Sequence, residues 1–207
     1  MIDLYTWTTP NGYKVSIMLE ELGLPYAVHP VNLGADEQHR PEFLALNPNG
    51  KIPAIVDPDG PGGRLTVFES GAILMYLAEK TGRFLPREGA ARARVLEWLM
   101  FQMSAVGPTF GNVYYFMAQA AEKVPYAIDR FVNETLRIVR VLDGELAHAE
   151  FLAGEYSIAD VATYPWIAAL LGAFSDRVGD APHLRRWAAA LGARPPVQRG
   201  MKVPAAG

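Results

Sequence analysis

Asn47-Pro48-Asn49-Gly50-Lys51-Ile52-Pro53-Ala54-Ile55-Val56, followed a short way on by Phe68-Glu69-Ser70-Gly71-Ala72-Ile73, holds two backbone signals that constrain everything around it. Pro53 has no N–H to give to a sheet ladder, so it belongs at the entry of the strand that Ala54 to Asp57 suggests. An X-Pro bond is also where the cis form is accessible, at about 0.5–1 kcal/mol above trans. A kinked entry of that kind turns the backbone N–H and C=O of Ile52 outward, free to pair with an extended, peptide-like ligand. The second segment ends one apolar run and opens a helix through Ile73, Leu74 and Leu77, so Glu69 and Ser70 fall at a helix N-terminus. Backbone amides and a hydroxyl in that position point at an arriving anion.

Working outward, Ile2 to Trp7 reads as a short strand, Thr8 to Gly12 as a turn-rich loop, and Asn11 as the cap of a helix carrying Val15, Ile17, Met18, Leu19 and Leu22. Gly23 and Pro25 stop that helix, and Tyr26 to Leu33 reads as a second strand. Strand, helix, strand implies a parallel pair with a right-handed crossover. Asp36 to Leu46 is expected as a short helix with Pro41 in its early turns. The turn from Pro58 to Gly63 is too short for anything but an antiparallel hairpin between Ala54–Asp57 and Leu65–Phe68, and Ala72 to Lys80 supplies the last helix.

The order β-α-β-α-β-β-α is that of a thioredoxin-like α/β N-terminal domain, placed at residues 1–81 with a linker over 82–89. Residues 90–207 are expected to form an all-α C-terminal helical bundle, with helices near Ala90–Gln119, Tyr126–Ala149, Ile158–Phe174 and Pro182–Leu191. Ser157-Ile158-Ala159-Asp160 is a capping box with a structural role. The tail from Ala193, with Pro195, Pro196 and Pro204, is expected to be irregular.

Composition narrows the chemistry. The 207 residues include no cysteine, which removes disulfides, redox dithiols, thiolate nucleophiles and cysteine metal sites together, so any thiol must arrive with a ligand. A net charge of −3 without a basic run argues against a nucleic-acid surface. His29, His39, His148 and His183 show no metal-ligand spacing, so no metal is expected. Trp98 to Ala121 carries no charge and is long enough to span a bilayer, but Gln102, Pro108, Asn112 and Gln119 interrupt it and favour a bent bundle helix. With no signal-like segment at the start, the expectation is a cytoplasmic protein without membrane attachment.

N-P-N-G-K-I-P-A-I-V followed by F-E-S-x-A-I-x-x-Y-L resembles the glutathione site of the cytosolic glutathione transferases, over nearly the whole chain. With Thr8-Thr9-Pro10-Asn11-Gly12 it is most similar to the nu-class, disulfide-reductase-type bacterial members. The resemblance implies glutathione as co-substrate and a homodimer. It assigns Thr9 and Asn11 to orienting and activating the sulfur, although the same two residues also fit a loop hydroxyl and a helix cap. It assigns Glu69 and Ser70 to the γ-glutamyl end, the Ile52 main chain at the Pro53 kink to the cysteinyl backbone, and Gln38 and Lys51 to the glycyl end. Arg130 matches an arginine offered to glutathione from the neighbouring subunit, and also fits a surface charge paired with Asp129 or Glu134. His39 and Tyr13 depart from the family pattern, at positions where phenylalanine and histidine are frequent. A tyrosine activator at Tyr5 or Tyr13 is disfavoured by position, and the serine-type pattern is absent.

Only a thiolate attacks well, so a useful site lowers the thiol pKa with donors and positive potential. The start of the first helix offers its dipole, typically about 0.3–1 kcal/mol, with donors from Thr9 and Asn11. The expected function is glutathione-dependent disulfide reduction, with weaker transferase or peroxide-reducing activity beside it. A transferase acting on an apolar electrophile among Tyr114, Tyr115, Phe116 and Trp166, or a non-catalytic glutathione-binding module, are the alternatives. Partners are then glutathione or its disulfide and a small disulfide or electrophile.

Overall fold

Ile2, Leu4 and Thr6 are buried on one side of the first strand while Asp3 and Tyr5 project to the other, the period-two signature of a strand with packing on both faces. In the computed structural model, which describes residues 1–205, that strand (β1, Ile2–Thr6) sits inside a four-stranded sheet ordered β2-β1-β3-β4, with β2 Tyr26–Pro30, β3 Ala54–Gly60 and β4 Gly63–Phe68. β1 and β2 are parallel across helix α1 (Pro10–Leu22), while β3 and β4 form the antiparallel hairpin and β3 runs antiparallel to β1. Helix α3 (Ser70–Thr81) packs with α1, burying Val15, Ile17, Met18 and Leu19 from one helix and Ile73, Leu74 and Leu77 from the other. Phe43 covers the opposite side with Val31, Ile52, Ala54, Tyr5 and Trp7. This is the thioredoxin-like α/β arrangement expected from the sequence.

Between β2 and β3 the expected helix over Asp36–Leu46 does not form. Two 3₁₀ turns, Leu33–Ala35 and Glu37–His39, precede a single helical turn, α2 (Pro41–Leu44). The Asn32 side chain takes the N–H groups of Gly34 and Ala35, Asp36 adopts a left-handed φ of 58°, and Arg40 is held extended before Pro41. The Asp36 and Arg40 conformations interrupt an α-helical ladder over the expected span.

The chain divides into two units, Met1–Arg87 together with the residues from Gly192 onward, and Glu88–Leu191. The sequence predicts an irregular tail, yet Pro195–Gly200 is helical, and the described residues from Gly192 group with the first unit. Pro195 and Pro196 start helix α9 (Pro195–Gly200), as prolines at the first helical positions can. Its Val197 is buried, Ser16 Oγ donates to the Gly200 carbonyl at 2.7 Å, and Arg194 grips the Glu21 carboxylate through Nε at 2.7 Å and a second nitrogen at 2.9 Å.

The second unit is helical. Residues 89–119 form one bent run: α4 (Gly89–Phe101), a π-helical segment (Gln102–Val106), α5 (Gly107–Tyr114) and a second π-helical segment (Tyr115–Gln119). The first irregularity stands just before Pro108, which has no N–H for the ladder. α6 (Pro125–Leu146), α7 (Ile158–Val178) and α8 (Pro182–Gly192) complete the unit. α7 runs four residues past its expected end, across a non-helical Phe174 at φ −135°. It is long and apolar enough to cross a membrane, with half of that stretch buried within the chain. The capping box forms as expected, and Asp160 also accepts from Leu152 N at 3.0 Å and Trp187 Nε1 at 2.9 Å.

Candidate functional site

Three pieces of the first unit meet at one small cleft, lined by Asn11 from α1, Asn47, Lys51, Ile52 and Pro53 from the loop before β3, and Glu69 and Ser70 at the start of α3. Most of the residues singled out in the sequence are therefore brought together, although they come from three separate parts of the chain.

The α1 end is built by Thr9 and Gly12. Thr9 is extended and its hydroxyl accepts from Gly12 N at 3.2 Å, so Thr9 rather than Asn11 caps the helix. The reason is Pro10, which occupies the first helical position and moves the cap two residues earlier than expected. Asn11 is left with its side chain at the cleft. A hydroxyl that accepts at a cap keeps its own proton to donate. Gly12 is obligatory, because a Cβ there would overlap Thr6 Oγ1 and the Trp7 carbonyl oxygen. That close approach seats the positive end of α1 against the end of β1.

The loop before β3 is held by Asn47, a residue quoted in the sequence motif but not assigned to the site. Its buried side chain donates to the Lys51 carbonyl at 2.6 Å and accepts from Asn49 N at 2.9 Å. The Ile52–Pro53 peptide bond is cis, and Ile52 lines the cleft where β3 begins. The signal that could have marked Asn47 in advance is its place before Pro-Asn-Gly, where asparagine favours such turns.

At α3, Glu69 has φ 68° and ψ 116°, a conformation that non-glycine residues adopt at a cost of order 1–3 kcal/mol. Its side chain does not cap the helix, so the α3 amides remain directed at the cleft, with an exposed carboxylate beside them. Beneath Ser70 lies Lys14, only 1 % exposed, whose Nζ donates to Ser70 Oγ at 3.3 Å. Burial draws the Lys14 ammonium down to about 7, an effect partly offset by Glu69. The sequence gives no sign of this burial, because a lysine ordinarily points to solvent.

Thr9, Gln38 and Arg130 do not line this cleft. Gln38 sits in the second 3₁₀ turn, donating to Asp36 at 3.0 Å, and that turn lies against the loop: the His39 ring and the Gln38 carbonyl face Gly50, next to Lys51. Arg130 is an exposed residue of α6 in the second unit, beside a groove of about 720 Å³ lined also by Thr109, Tyr126 and Asp129. Glu134 pairs instead with Arg137, at 2.7 Å. The groove is larger than the cleft, but convergent helix N-termini and buried polar side chains make the cleft the better-built site. Tyr5 stacks on His29 with ring centroids 4.6 Å apart, and neither it nor Tyr13 lines the cleft. Among the described residues, no cluster of three or more His, Cys, Asp or Glu could hold a metal ion.

The chain is similar to known proteins along most of its length. Residues 8–80 match the family described as glutathione S-transferase, N-terminal domain. The disulfide-bond oxidoreductase YfcG of Escherichia coli (strain K12) is 51 % identical over 172 residues, covering 82 % of this chain and 80 % of its own. A glutathione transferase family member from Pseudomonas fluorescens pf-5, solved with two glutathione bound, is 49 % identical with a TM-score of 0.95, over 98 % of this chain and 93 % of that one. A glutathione transferase from Pseudomonas putida, solved with one glutathione disulfide per subunit, is 48 % identical with a TM-score of 0.94, over 98 % and 91 %. On this identity and coverage, the chain belongs to the glutathione S-transferase family.

Proposed function

We propose that this chain is a cytoplasmic, nu-class, glutathione-dependent thiol–disulfide oxidoreductase that contributes no thiol of its own. The observation that carries the reading is the convergence of the α1 N-terminus, the Ile52–Pro53 loop and the α3 N-terminus on one cleft, in a chain without cysteine. The name of YfcG, and the glutathione or glutathione disulfide held by the two Pseudomonas proteins, support it.

In this reading Glu69 meets the ammonium of the γ-glutamyl end while Ser70 and the α3 amides meet its α-carboxylate. The Ile52 main chain, presented by Pro53, pairs with the cysteinyl backbone, and Lys51 with Gln38 takes the glycyl carboxylate. The sulfur lies near Thr9 and Asn11, where donors and the α1 dipole favour the thiolate. The protein forms a homodimer, in which Arg130 reaches the glutathione of the neighbouring copy. Glutathione supplies all the sulfur: one thiolate attacks the substrate disulfide and expels one substrate thiol, and a second thiolate attacks the mixed disulfide to release the other thiol and glutathione disulfide. The residues named hold and orient the reacting thiolate, which turns a bimolecular exchange into a positioned one.

The test is turnover of a small model disulfide with glutathione, coupled to glutathione reductase and NADPH, beside aryl-halide conjugation. Strong disulfide turnover with weak conjugation is the expected result. The reverse would favour a transferase with an electrophile among the aromatics, a reading helped by Tyr114 and Tyr115 being 53 % and 50 % exposed rather than buried as core. Silence in both with glutathione still bound would favour a binding module.

A further inference from the structure

Helix α1 is poorly matched to its own dipole: Glu20 and Glu21 stand in its last turn, with no basic residue of that turn beside them. The cations come from the far end of the chain. Arg194 holds Glu21 through two nitrogens, at 2.7 and 2.9 Å, and Arg199 Nε donates to Glu20 Oε2 at 2.6 Å. Tyr26 Oη donates to the other oxygen of Glu20 at 2.8 Å, which ties the same carboxylate to β2. Next to Arg199, Gly200 lies on the Ile17 backbone so closely that no Cβ fits, and its carbonyl accepts from Ser16 Oγ at 2.7 Å.

These contacts reach α1 from behind. At roughly 100° per residue, Ser16 and Glu20 lie about 140° and 180° around the helix from Asn11, while α3 meets α1 on the side of Asn11, through Lys14 and Ser70. The helix is thus clamped between α3 and α9. Val197 buries apolar surface, a non-directional contact that tolerates small shifts. The glycine seat, the Ser16 hydrogen bond and the two arginine pairs are directional and admit one placement of α1.

Placement matters because Asn11 stands five residues beyond Ser16, about 8 Å along the axis. A tilt of roughly 8° about Ser16 moves Asn11 by about 1 Å, and a misplacement of that size at reacting atoms costs on the order of a hundred-fold.

We propose that Ser16, Arg199 and Gly200 are positioning residues for the reaction, fixing the tilt of α1 and with it the distance from Asn11 to the glutathione sulfur. The inference rests on the glutathione reading above, which places the sulfur at the start of α1. None of the three lines the cleft, so they act through the helix.

Ser16→Ala and Arg199→Gln, singly and together, provide the test. Both leave the cleft lining unchanged, and the Gly200 carbonyl keeps a bond from Val203 N at 3.3 Å. Turnover of a small model disulfide is measured below the melting temperature of each variant, and the thiol of bound glutathione is titrated by thiolate absorbance. In the double variant kcat falls about ten-fold while KM for glutathione stays within about two-fold, because α3 and the Ile52 loop still hold the tripeptide. The titration midpoint of the bound thiol rises, and Arg199→Lys, which keeps the cation, restores turnover. Unchanged kcat and titration with a lowered melting temperature would show a purely structural tail and overturn the proposal, as would a loss carried by KM alone. If the double variant does not fold, Arg199→Gln alone, at a side chain 56 % exposed, reads the same split at about three-fold. Absence of both turnover and glutathione binding in the unmodified protein would remove the glutathione reading, and this inference with it.

Discussion

Gly200 of α9 lies directly on the backbone of α1 at Ile17: a Cβ at Gly200 would stand 2.5 Å from Ile17 Cα and 2.6 Å from Ile17 N. Backbone cannot yield as a flexible side chain can. Gly200→Ala is therefore expected to lower stability by about 1–3 kcal/mol through overpacking. Gly144, in the last turn of α6 with open space where a Cβ would go, should respond oppositely, Gly144→Ala adding about 0.5 kcal/mol. Urea midpoints of the two variants check both signs, and a neutral Gly200→Ala would mean that α9 is not seated on α1 in solution.

Asp57 in β3 accepts from Lys80 Nζ and Tyr76 Oη, both at 2.6 Å, and from Asp59 N at 2.9 Å. These donors outweigh burial and hold its carboxyl below the usual range. With the folded pKa below the unfolded one, near 3.9, the stabilisation is complete above that unfolded value and is lost as pH falls through the folded one. Asp57→Asn should cost about 1.5–3 kcal/mol at neutral pH, the range for hydrogen bonds to charged groups, and should flatten the acid limb of a stability-against-pH curve. An acid limb as steep as in the unmodified protein would show that other carboxylates carry it.

Lys14 predicts a slope at the other end. Its folded pKa of about 7 lies below the unfolded lysine value near 10.4, so between these the unfolded chain holds more protons. Stability in the absence of ligand should therefore rise from about pH 7 to about pH 9, and the destabilisation should be fully present below pH 7. Lys14→Met should remove the slope and melt at a higher temperature at about pH 6. Melting curves across this range decide it.

Asn11 and Thr9 separate by the readout they affect. Asn11→Ala should lower disulfide turnover about a hundred-fold, the effect of removing one donor from developing charge, while glutathione still binds. Thr9→Ala should also lose about 1 kcal/mol of stability with the cap, whereas Thr9→Ser should retain it. Steady-state rates paired with thermal melts distinguish the two, and full turnover in Asn11→Ala would end its assignment to the sulfur.

Asp160 should behave as a structural residue only. Its carboxylate ties Ser157, Leu152 and Trp187 together, so Asp160→Ala should cost about 3 kcal/mol or more by orphaning buried donors. Turnover per folded molecule should be unchanged below the new melting temperature.

What could be read directly from the chain was local. Pro53 marks a strand entry because it lacks an N–H, Glu69-Ser70 marks a helix start because an apolar run follows, and Ser157 to Asp160 spells its own cap. Those signals act over a few residues, and they were enough for the thioredoxin-like unit, the helical remainder and most of the cleft. Thr9 displaced Asn11 as the cap because Pro10 sits equally well one position into the helix as before it. The helix expected over 36–46 broke up because Asp36 takes a left-handed φ and Arg40 is held extended before Pro41. Folding alone decided the rest, since those contacts join distant positions. Lys14 meets Ser70 56 residues away and Ser16 meets Gly200 184 residues away. A lysine five residues into a helix, or a glycine near a chain end, has a solvated surface as its ordinary fate. It was the packing of α3 and α9 onto α1 that removed the water and made one a buried charge and the other a contact point.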